Sequence, residues 1–144
     1  TELRGTLNST TYNSLSIKNS IKKVKKDYIP TYNVAKTQQT DDYLWLLSCG
    51  EIWDNGYDGG VTRGYAIATE GKQYKYYKMN LGSTIFWDEN SITKKPSASN
   101  STGWWLRSPH TLTSGTFTFV EEGGYCENGD GNYYSWIVTP GFAI

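Results

Sequence analysis

The 144-residue sequence has no long apolar run and no excess of charge of either sign. A transmembrane helix needs about 20 consecutive apolar residues, and the sequence contains no such run. Lysine and arginine number 14, as do aspartate and glutamate, so the formal net charge is zero. A nucleic acid or an anionic membrane is usually bound through a strongly basic surface. The sequence therefore predicts no membrane span and no nucleic-acid partner.

Cysteine and histidine are also scarce. Cys49 and Cys126 lie far apart and lack metal-ligand spacing, so we expect no metal site, no cofactor and no disulfide scaffold. Cys49 and Cys126 could form one disulfide if the fold brings them together, but we expect no bond between them and two small buried side chains instead. The single histidine, His110, would have to carry any Ser-His-Asp or Cys-His site. We therefore expect a protein that is not an enzyme.

Aromatic residues are what the sequence has in excess. They make up 15% of the chain, with 6 Trp and 12 Tyr, and they stand among 15 Gly and many small polar residues. Tyr and Trp give large, rigid contact areas at recognition surfaces, although an aromatic-rich core is the alternative. Because the sequence begins with Thr1 rather than Met, we expect it to be a mature or excised part of a longer protein. We expect one domain, residues 1–144, monomeric and belonging to a secreted or cell-surface protein.

Two patterns in the first half predict regular structure. Ile17, Ile21, Val24 and Tyr28 recur at the spacing of one helical face, which predicts a helix with a solvated, lysine-rich opposite face. The apolar run Tyr43–Leu47 predicts a short buried strand.

The next four residues have the spacing of a capping box. In Ser48-Cys49-Gly50-Glu51, the Ser48 side chain can accept from the Glu51 backbone, and the Glu51 side chain can reach back to Ser48. The strand is therefore expected to enter a short helix directly.

The stretch Gly103-Trp104-Trp105-Leu106-Arg107-Ser108-Pro109 is the densest aromatic cluster. As a strand, it would place Trp104 on one face and Trp105 on the other, so both faces are expected to be covered. Arg107 then needs a partner, since a buried unpaired charge is very costly. We predict that Glu51 pairs with it; a backbone carbonyl fork or exposure to water along Trp105 are the alternatives. The residues assigned structural roles are Glu51, Trp104, Trp105, Arg107 and Ser108.

The sequence after Pro109 predicts strands separated by long loops. Thr116–Val120 alternates as a strand, residues 125–132 are typical of a hairpin tip, and residues 134–139 are predicted to form the last strand. With helices early and strands late, the predicted class is α+β. The predicted core is Leu46, Leu47, Trp53, Trp104, Leu106, Phe119 and Ile137. The candidate ligand-binding residues are aromatic side chains near Trp87 and between His110 and Trp136: Trp87, His110, Tyr125, Tyr133, Tyr134 and Trp136.

Several motifs together resemble an uncharacterised bacterial domain family. The motifs are Leu3-Arg4 with Leu7-Asn8, Leu46-Leu47-Ser48 with Glu51, Trp104–Pro109, Phe119-Val120 with Gly123 or Gly124, and Val138–Phe142. They cover nearly the whole chain, and the WWLRSP run is the most specific. Thr139 stands where the family usually has arginine, so no role of that arginine carries over.

The same layout resembles the C-type-lectin-like fold, including its formylglycine-generating relatives. The resemblance implies two helices packed on a small twisted antiparallel sheet with long irregular loops, where binding members meet ligands. The formylglycine-generating enzymes hold copper with two nearby late cysteines, whereas this chain has only Cys126 there. Calcium lectins of the fold carry E-P-N or Q-P-D and W-N-D tripeptides, and Trp87-Asp88-Glu89-Asn90 does not match them.

Three functions are compatible with these observations. The first is a non-catalytic binding module whose aromatic-rich loops take a glycan or protein ligand. The second is a structural spacer domain of a larger surface protein, without a ligand of its own. The third, an oxidase of the formylglycine-generating type, is disfavoured by the cysteine positions.

Overall fold

The structure is a computed structural model that describes residues 2–30, 37–53, 70–81, 93, 95–96, 101–110, 115–130 and 136–144. Short helical elements lie mainly in the first half, and antiparallel strands dominate the second. This confirms the predicted α+β class. Three of the candidate ligand-binding residues, Trp87, Tyr133 and Tyr134, lie outside the described residues.

One continuous helical segment begins the chain. Helix α1 (Glu2–Thr6) runs through a π-helical turn (Leu7–Thr11) into α2 (Tyr12–Ser14). The Asn8 side chain ties this segment to the extended chain beyond it: its Oδ1 accepts from the Tyr43 and Leu44 backbones, and its Nδ2 donates to the Leu44 carbonyl at 2.9 Å. The buried Leu7 lies beside this contact and packs with Leu44.

The helix predicted from Ile17 to Tyr28 is wrong. A 3-10 turn (Lys18–Ser20) is followed by strand β1 (Val24–Tyr28), which pairs antiparallel with β2 (Gln38–Asp42). β-branched residues have little χ1 freedom in a helix, and lysines three and four positions apart repel one another there. In the hairpin, Lys25 instead faces Asp41 across the strands.

Residues 43–48 form an extended segment that leads into a short helix. Trp45 exchanges two backbone hydrogen bonds with Gly141, so the predicted strand is present as a single bridge rather than within a sheet. The capping box at Ser48 and Glu51 is confirmed, and it begins α3 (Cys49–Ile52). All four residues of α3 are buried, and the carbonyl of Glu51 accepts from the Tyr74 backbone just before α4 (Lys75–Leu81).

The central sheet has the strand order β5-β6-β7. Strand β5 (Trp104–Pro109) pairs with β6 (Thr116–Val120), which pairs with β7 (Cys126–Asp130). The other edge of β5 is held by backbone bonds to Ile137 and Leu47. The predicted β6 is confirmed, whereas the predicted hairpin tip at 125–132 contains β7. A two-residue pair, β3 (Lys95–Pro96) with β4 (Ser101–Thr102), precedes β5.

Buried side chains form two clusters, one against each face of β5. Trp104 and Leu106 belong to the larger cluster with Trp53, whereas Trp105 packs against the smaller one, which contains Leu46. The predicted covering of both faces is confirmed, but the predicted single core is divided by the strand. Leu47 and Ile137 are only partly buried at the rim of the larger cluster. Among the described residues, no helix is long and apolar enough to cross a membrane.

Candidate functional site

Arg107 extends from β5 to three separate backbone segments. Its Nε donates to the Asp27 carbonyl at 2.9 Å, Nη1 to the Leu46 carbonyl at 2.7 Å and Nη2 to the Glu70 carbonyl at 2.5 Å. Nη1 also lies 2.5 Å from Glu51 Oε2, so the predicted pair is confirmed. The carbonyl fork that was the alternative is present as well. Arg107 therefore joins four parts of the chain to the central sheet: the β1–β2 hairpin, the extended segment, α3 and the chain at Glu70.

Glu51 is the shared acceptor of this network. Its Oε2 accepts from Arg107 and, at 3.0 Å, from the Ser48 backbone N–H. Its Oε1 accepts from the Lys26 ammonium and, at 2.7 Å, from the Tyr74 hydroxyl. Lys26 also donates to Tyr74 at 2.7 Å and lies 4.6 Å from the centre of the Trp45 ring. Two cations thus share one carboxylate.

The environment of Glu51 acts on its pKa in two directions. Burial opposes ionisation, but the hydrogen bond and positive charge of Arg107, with the bonds from Lys26 and Tyr74, hold the pKa of Glu51 below its ordinary value. Burial lowers the pKa of Lys26, and the contact with Glu51 opposes this. Burial and the neighbouring Glu51 charge raise the pKa of Tyr74. Glu51 is therefore ionised at neutral pH and cannot serve as a proton donor there.

A second carboxyl group, Glu70, is fully buried beside the network. Its Oε1 accepts from the Ile29 backbone N–H at 2.8 Å. Burial raises the pKa of Glu70 to about 7, although hydrogen bonds from Ser108 and Ile29 and the charge of Arg107 counteract it. The next residue, Gly71, has φ +125°, and a Cβ there would lie 3.0 Å from Glu51 Cγ. Glycine at this position lets the chain pass close over the Glu51 side chain.

This network is enclosed rather than open to a substrate. The side chains of Arg107 and Lys26 are each 12% exposed and that of Glu51 is 2% exposed. Ser108 is buried too, and its Oγ accepts from the Cys49 backbone at the start of α3. Among the described residues, no group of three or more His, Cys, Asp or Glu side chains could hold a metal ion. The arrangement fixes the positions of four chain segments around β5.

An apolar groove of about 490 Å³ lies next to this network. Ligand pockets typically have volumes of about 300–1,000 Å³. The N-terminal helical segment, the β1–β2 hairpin, the extended segment and the β5–β6 strands all contribute to its walls. Its apolar surface includes Leu3, Tyr28, Trp45, Trp105 and Phe117. Phe117 is 40% exposed, which is unusual for a phenylalanine on a central strand.

Five of the polar side chains that line the groove have partners within the protein: Arg4, Tyr28, Thr40, Asp42 and Arg107. Arg4 pairs with Asp42 at 2.7 Å, and Thr40 donates to the other Asp42 oxygen at 2.6 Å. The Tyr28 hydroxyl donates to Gln38 at 2.7 Å. Arg107 forms the floor, where its donors bind the network described above. The part of the wall available to a ligand is therefore mainly apolar and aromatic.

The other sequence-predicted ligand residues are partly buried. The Trp136 ring packs over Gly103 and lies 5.2 Å from the Phe119 ring. The Tyr125 ring covers Gly123, and the backbone N–H of His110 donates to Thr116. None of the three lines the groove. Their role in binding stays a prediction.

Sequence reasoning missed Lys26, Tyr74 and Glu70. Lys26 was assigned to the exposed face of a helix, whereas in β1 it lies on the same strand face as Val24 and Tyr28. Alternation with a period of two was the available signal. Tyr74 and Glu70 are 23 and 19 positions beyond Glu51 and follow no local pattern that links them to it. The groove was also missed, because four separate segments form it.

Comparison with models of protein families matches residues 1–144 to the family described as "Domain of unknown function (DUF6273)". No curated protein and no solved structure matches the chain.

Proposed function

The chain belongs to this family of domains of unknown function, and we propose that it is a non-catalytic binding module for a protein ligand. The ligand inserts apolar side chains into the groove beside Arg107. The observation that carries the proposal is a groove of about 490 Å³ with an aromatic wall that includes an exposed Phe117. Exposed apolar surface of this kind marks interaction sites on soluble domains.

The hydrogen bonds that the polar groups of the groove already make within the protein favour a protein ligand over a glycan. Sugars stack on aromatic rings, but they also need hydrogen-bonding partners for their hydroxyl groups. Asp42 and Tyr28, which could supply them, are bonded within the protein. Breaking those bonds would offset the gain from binding a sugar. Apolar side chains of a protein need no such partners.

The rigid setting of the groove also supports a binding role. Its floor is fixed by Arg107, which is bonded to three backbone carbonyls and to Glu51. A preformed site avoids the entropic cost of ordering its walls when the ligand arrives. The network would then contribute to affinity by holding Arg107 in place at the floor of the groove.

A C-type-lectin-like arrangement and a secreted or cell-surface location belong to the same proposal. The support for the first is the WWLRSP strand together with the LLS..E entry into α3. The support for the second is the aromatic-rich composition. Staining of intact cells with antibody against the domain, before and after external protease treatment, tests the location. Signal found only after cell lysis would contradict it.

Selection from a phage-displayed random peptide library tests the function. The immobilised wild-type domain should enrich peptides with bulky apolar residues, and these should bind at least about tenfold more weakly to Phe117→Asp, as expected for the loss of a central apolar contact. Met79→Asp is the matched control, because Met79 is 75% exposed on α4 and does not line the groove. It should bind like the wild type. A parallel glycan array should give no signal; glycan binding without peptide enrichment would contradict the proposed ligand class, and no binding in either screen would favour a spacer.

A further inference from the structure

The two cysteines of the chain are in contact, although 77 positions separate them. Cys49 Sγ lies 3.6 Å from Cys126 Sγ and 3.5 Å from Thr118 Oγ1. Both thiols are free, and both residues are buried in the larger cluster. Two sulfur atoms at this separation need to approach by only about 1.5 Å to reach the bond length of a disulfide.

The backbone on both sides of this contact is fixed. Cys49 begins α3, and its N–H donates to Ser108 Oγ at 3.1 Å. Cys126 begins β7 and pairs with Val120 of β6. Both side chains therefore project from regular elements toward the same point. Rotation of the two side chains about their χ angles changes the sulfur separation without moving either element.

We propose that Cys49 and Cys126 form a disulfide when the chain folds in the presence of a disulfide oxidant. The thiolate of one cysteine attacks the oxidant, which releases one thiol and leaves a mixed disulfide on the protein. The thiolate of the second cysteine then attacks the protein sulfur of that mixed disulfide and releases the second thiol. Overall, the two cysteines lose two protons and two electrons, and the oxidant is reduced to two thiols.

The bond forms during folding rather than afterwards. Both residues are at most 2% exposed, so an oxidant cannot reach them in the folded domain. Burial and the neighbouring Cys49 thiol also raise the pKa of Cys126, which makes its thiolate scarce in the folded state. Once formed, the bridge would link α3 to the central sheet on the side opposite the groove-facing Trp105. It would restrict the unfolded chain by closing a long loop.

Refolding from denaturant tests the proposal. The wild-type chain is refolded either with a mixture of oxidised and reduced glutathione or with reducing agent alone. The oxidised product should be lighter by about 2 Da in intact mass, yield a peptide cross-linked through Cys49 and Cys126, and contain no alkylatable thiol. Its melting temperature should exceed that of the reduced protein by about 10 °C.

The variants Cys49→Ala and Cys126→Ala are the controls. Each variant retains one thiol, so neither can form the internal disulfide. The peptide cross-linked through Cys49 and Cys126 should therefore be absent from both. If either variant fails to fold, the comparison of the two wild-type products still decides the question. A folded wild-type product from the glutathione mixture in which both thiols remain free would overturn the proposal. A bridged product that melts below the reduced protein would do so too, because the native packing would then not accept the bond.

Discussion

Arg107 Nη1 lies 2.5 Å from Glu51 Oε2, although the two residues are 56 positions apart. The pair joins the strand with the densest aromatic cluster to the helix that the capping box begins. Because Lys26 contacts the other carboxylate oxygen, the pair is part of a three-residue charge network rather than an isolated ion pair. The stability of the fold should therefore depend on all three side chains together.

A double-mutant cycle measures the coupling between the pair. Arg107→Ala should cost about 3–5 kcal/mol, since it removes a partly buried charge and leaves three carbonyls without their donor. Glu51→Gln keeps the size of the side chain and is the second member of the cycle. Urea unfolding should give a coupling of about 1–3 kcal/mol. Additive effects of the two changes would show that the two side chains do not stabilise each other.

The network also limits which replacements can restore stability. Replacing the pair by Arg107→Met and Glu51→Leu should not recover the stability of the wild type. Lys26 would lose its carboxylate partner, and the Ser48 backbone N–H would lose its acceptor. Adding Lys26→Met should recover part of the loss. Urea unfolding of the double and triple variants checks this. A double variant as stable as the wild type would contradict the shared role of Glu51.

Gly71 and Gly115 form a matched pair of substitution sites. Both have positive φ, at +125° and +78°, but only Gly71 has a close neighbour, the Glu51 side chain. Gly115→Ala should cost about 1 kcal/mol from backbone strain. Gly71→Ala should cost at least about 2 kcal/mol more, because its Cβ also displaces Glu51 and so disturbs the network. Thermal unfolding of both variants checks the difference. Equal losses would show that Gly71 is required only for its backbone conformation.

Glu70 should make stability depend on pH. Its pKa is raised from 4.5 to about 7 in the folded protein, so the folded state binds a proton more tightly than the unfolded state does. Its contribution to stability is complete below pH 4.5 and is lost as pH rises to 7. Between pH 5 and pH 8, Glu70→Gln should therefore gain about 2–3 kcal/mol relative to wild type.

Urea titrations at intervals across that range measure the effect, and Glu122→Gln is the control on an exposed side chain. The lowered pKa of Glu51 acts in the opposite direction, but only as pH falls below 4.5. The loss of stability caused by protonation of Glu51 therefore lies outside the pH range in which Glu70 titrates. A stability difference between Glu70→Gln and wild type that stays constant from pH 5 to pH 8 would contradict the inference.

Local patterns in the sequence were sufficient for some elements and misleading for others. The capping box and the WWLRSP strand depend on neighbouring residues, so Ser48, Glu51 and Arg107 could be assigned before the structure was known. The apolar residues from Ile17 to Tyr28 have helical spacing, but residues Val24–Tyr28 form a strand because they pair with β2. Leu47 is predicted to belong to the core, and it lies partly buried at the rim of the larger cluster. Its exact depth depends on contacts from distant segments.

The candidate site was predictable only in part for the same reason. The pairing of Arg107 with Glu51 followed from the cost of burying a charge. The groove, however, combines Leu3, Tyr28, Trp45 and Phe117, which come from four segments without a shared motif. The aromatic excess of the composition indicated a recognition surface but did not locate it. Trp136 is an example, because the composition singled it out as a ligand residue while its ring packs over Gly103 and beside Phe119.

Indole N–H resonances offer the most direct test of binding in the groove. Trp45 and Trp105 line it, whereas Trp53 and Trp104 are buried in the larger cluster on the other face of β5. The ¹⁵N-labelled domain is titrated with a peptide enriched by the phage selection, and each signal is assigned with a Trp→Phe variant. Binding in the groove should shift the signals of Trp45 and Trp105 and leave those of Trp53 and Trp104 in place. Shifts confined to Trp87 and Trp136, two of the ligand-binding residues predicted from the sequence, would contradict binding in the groove.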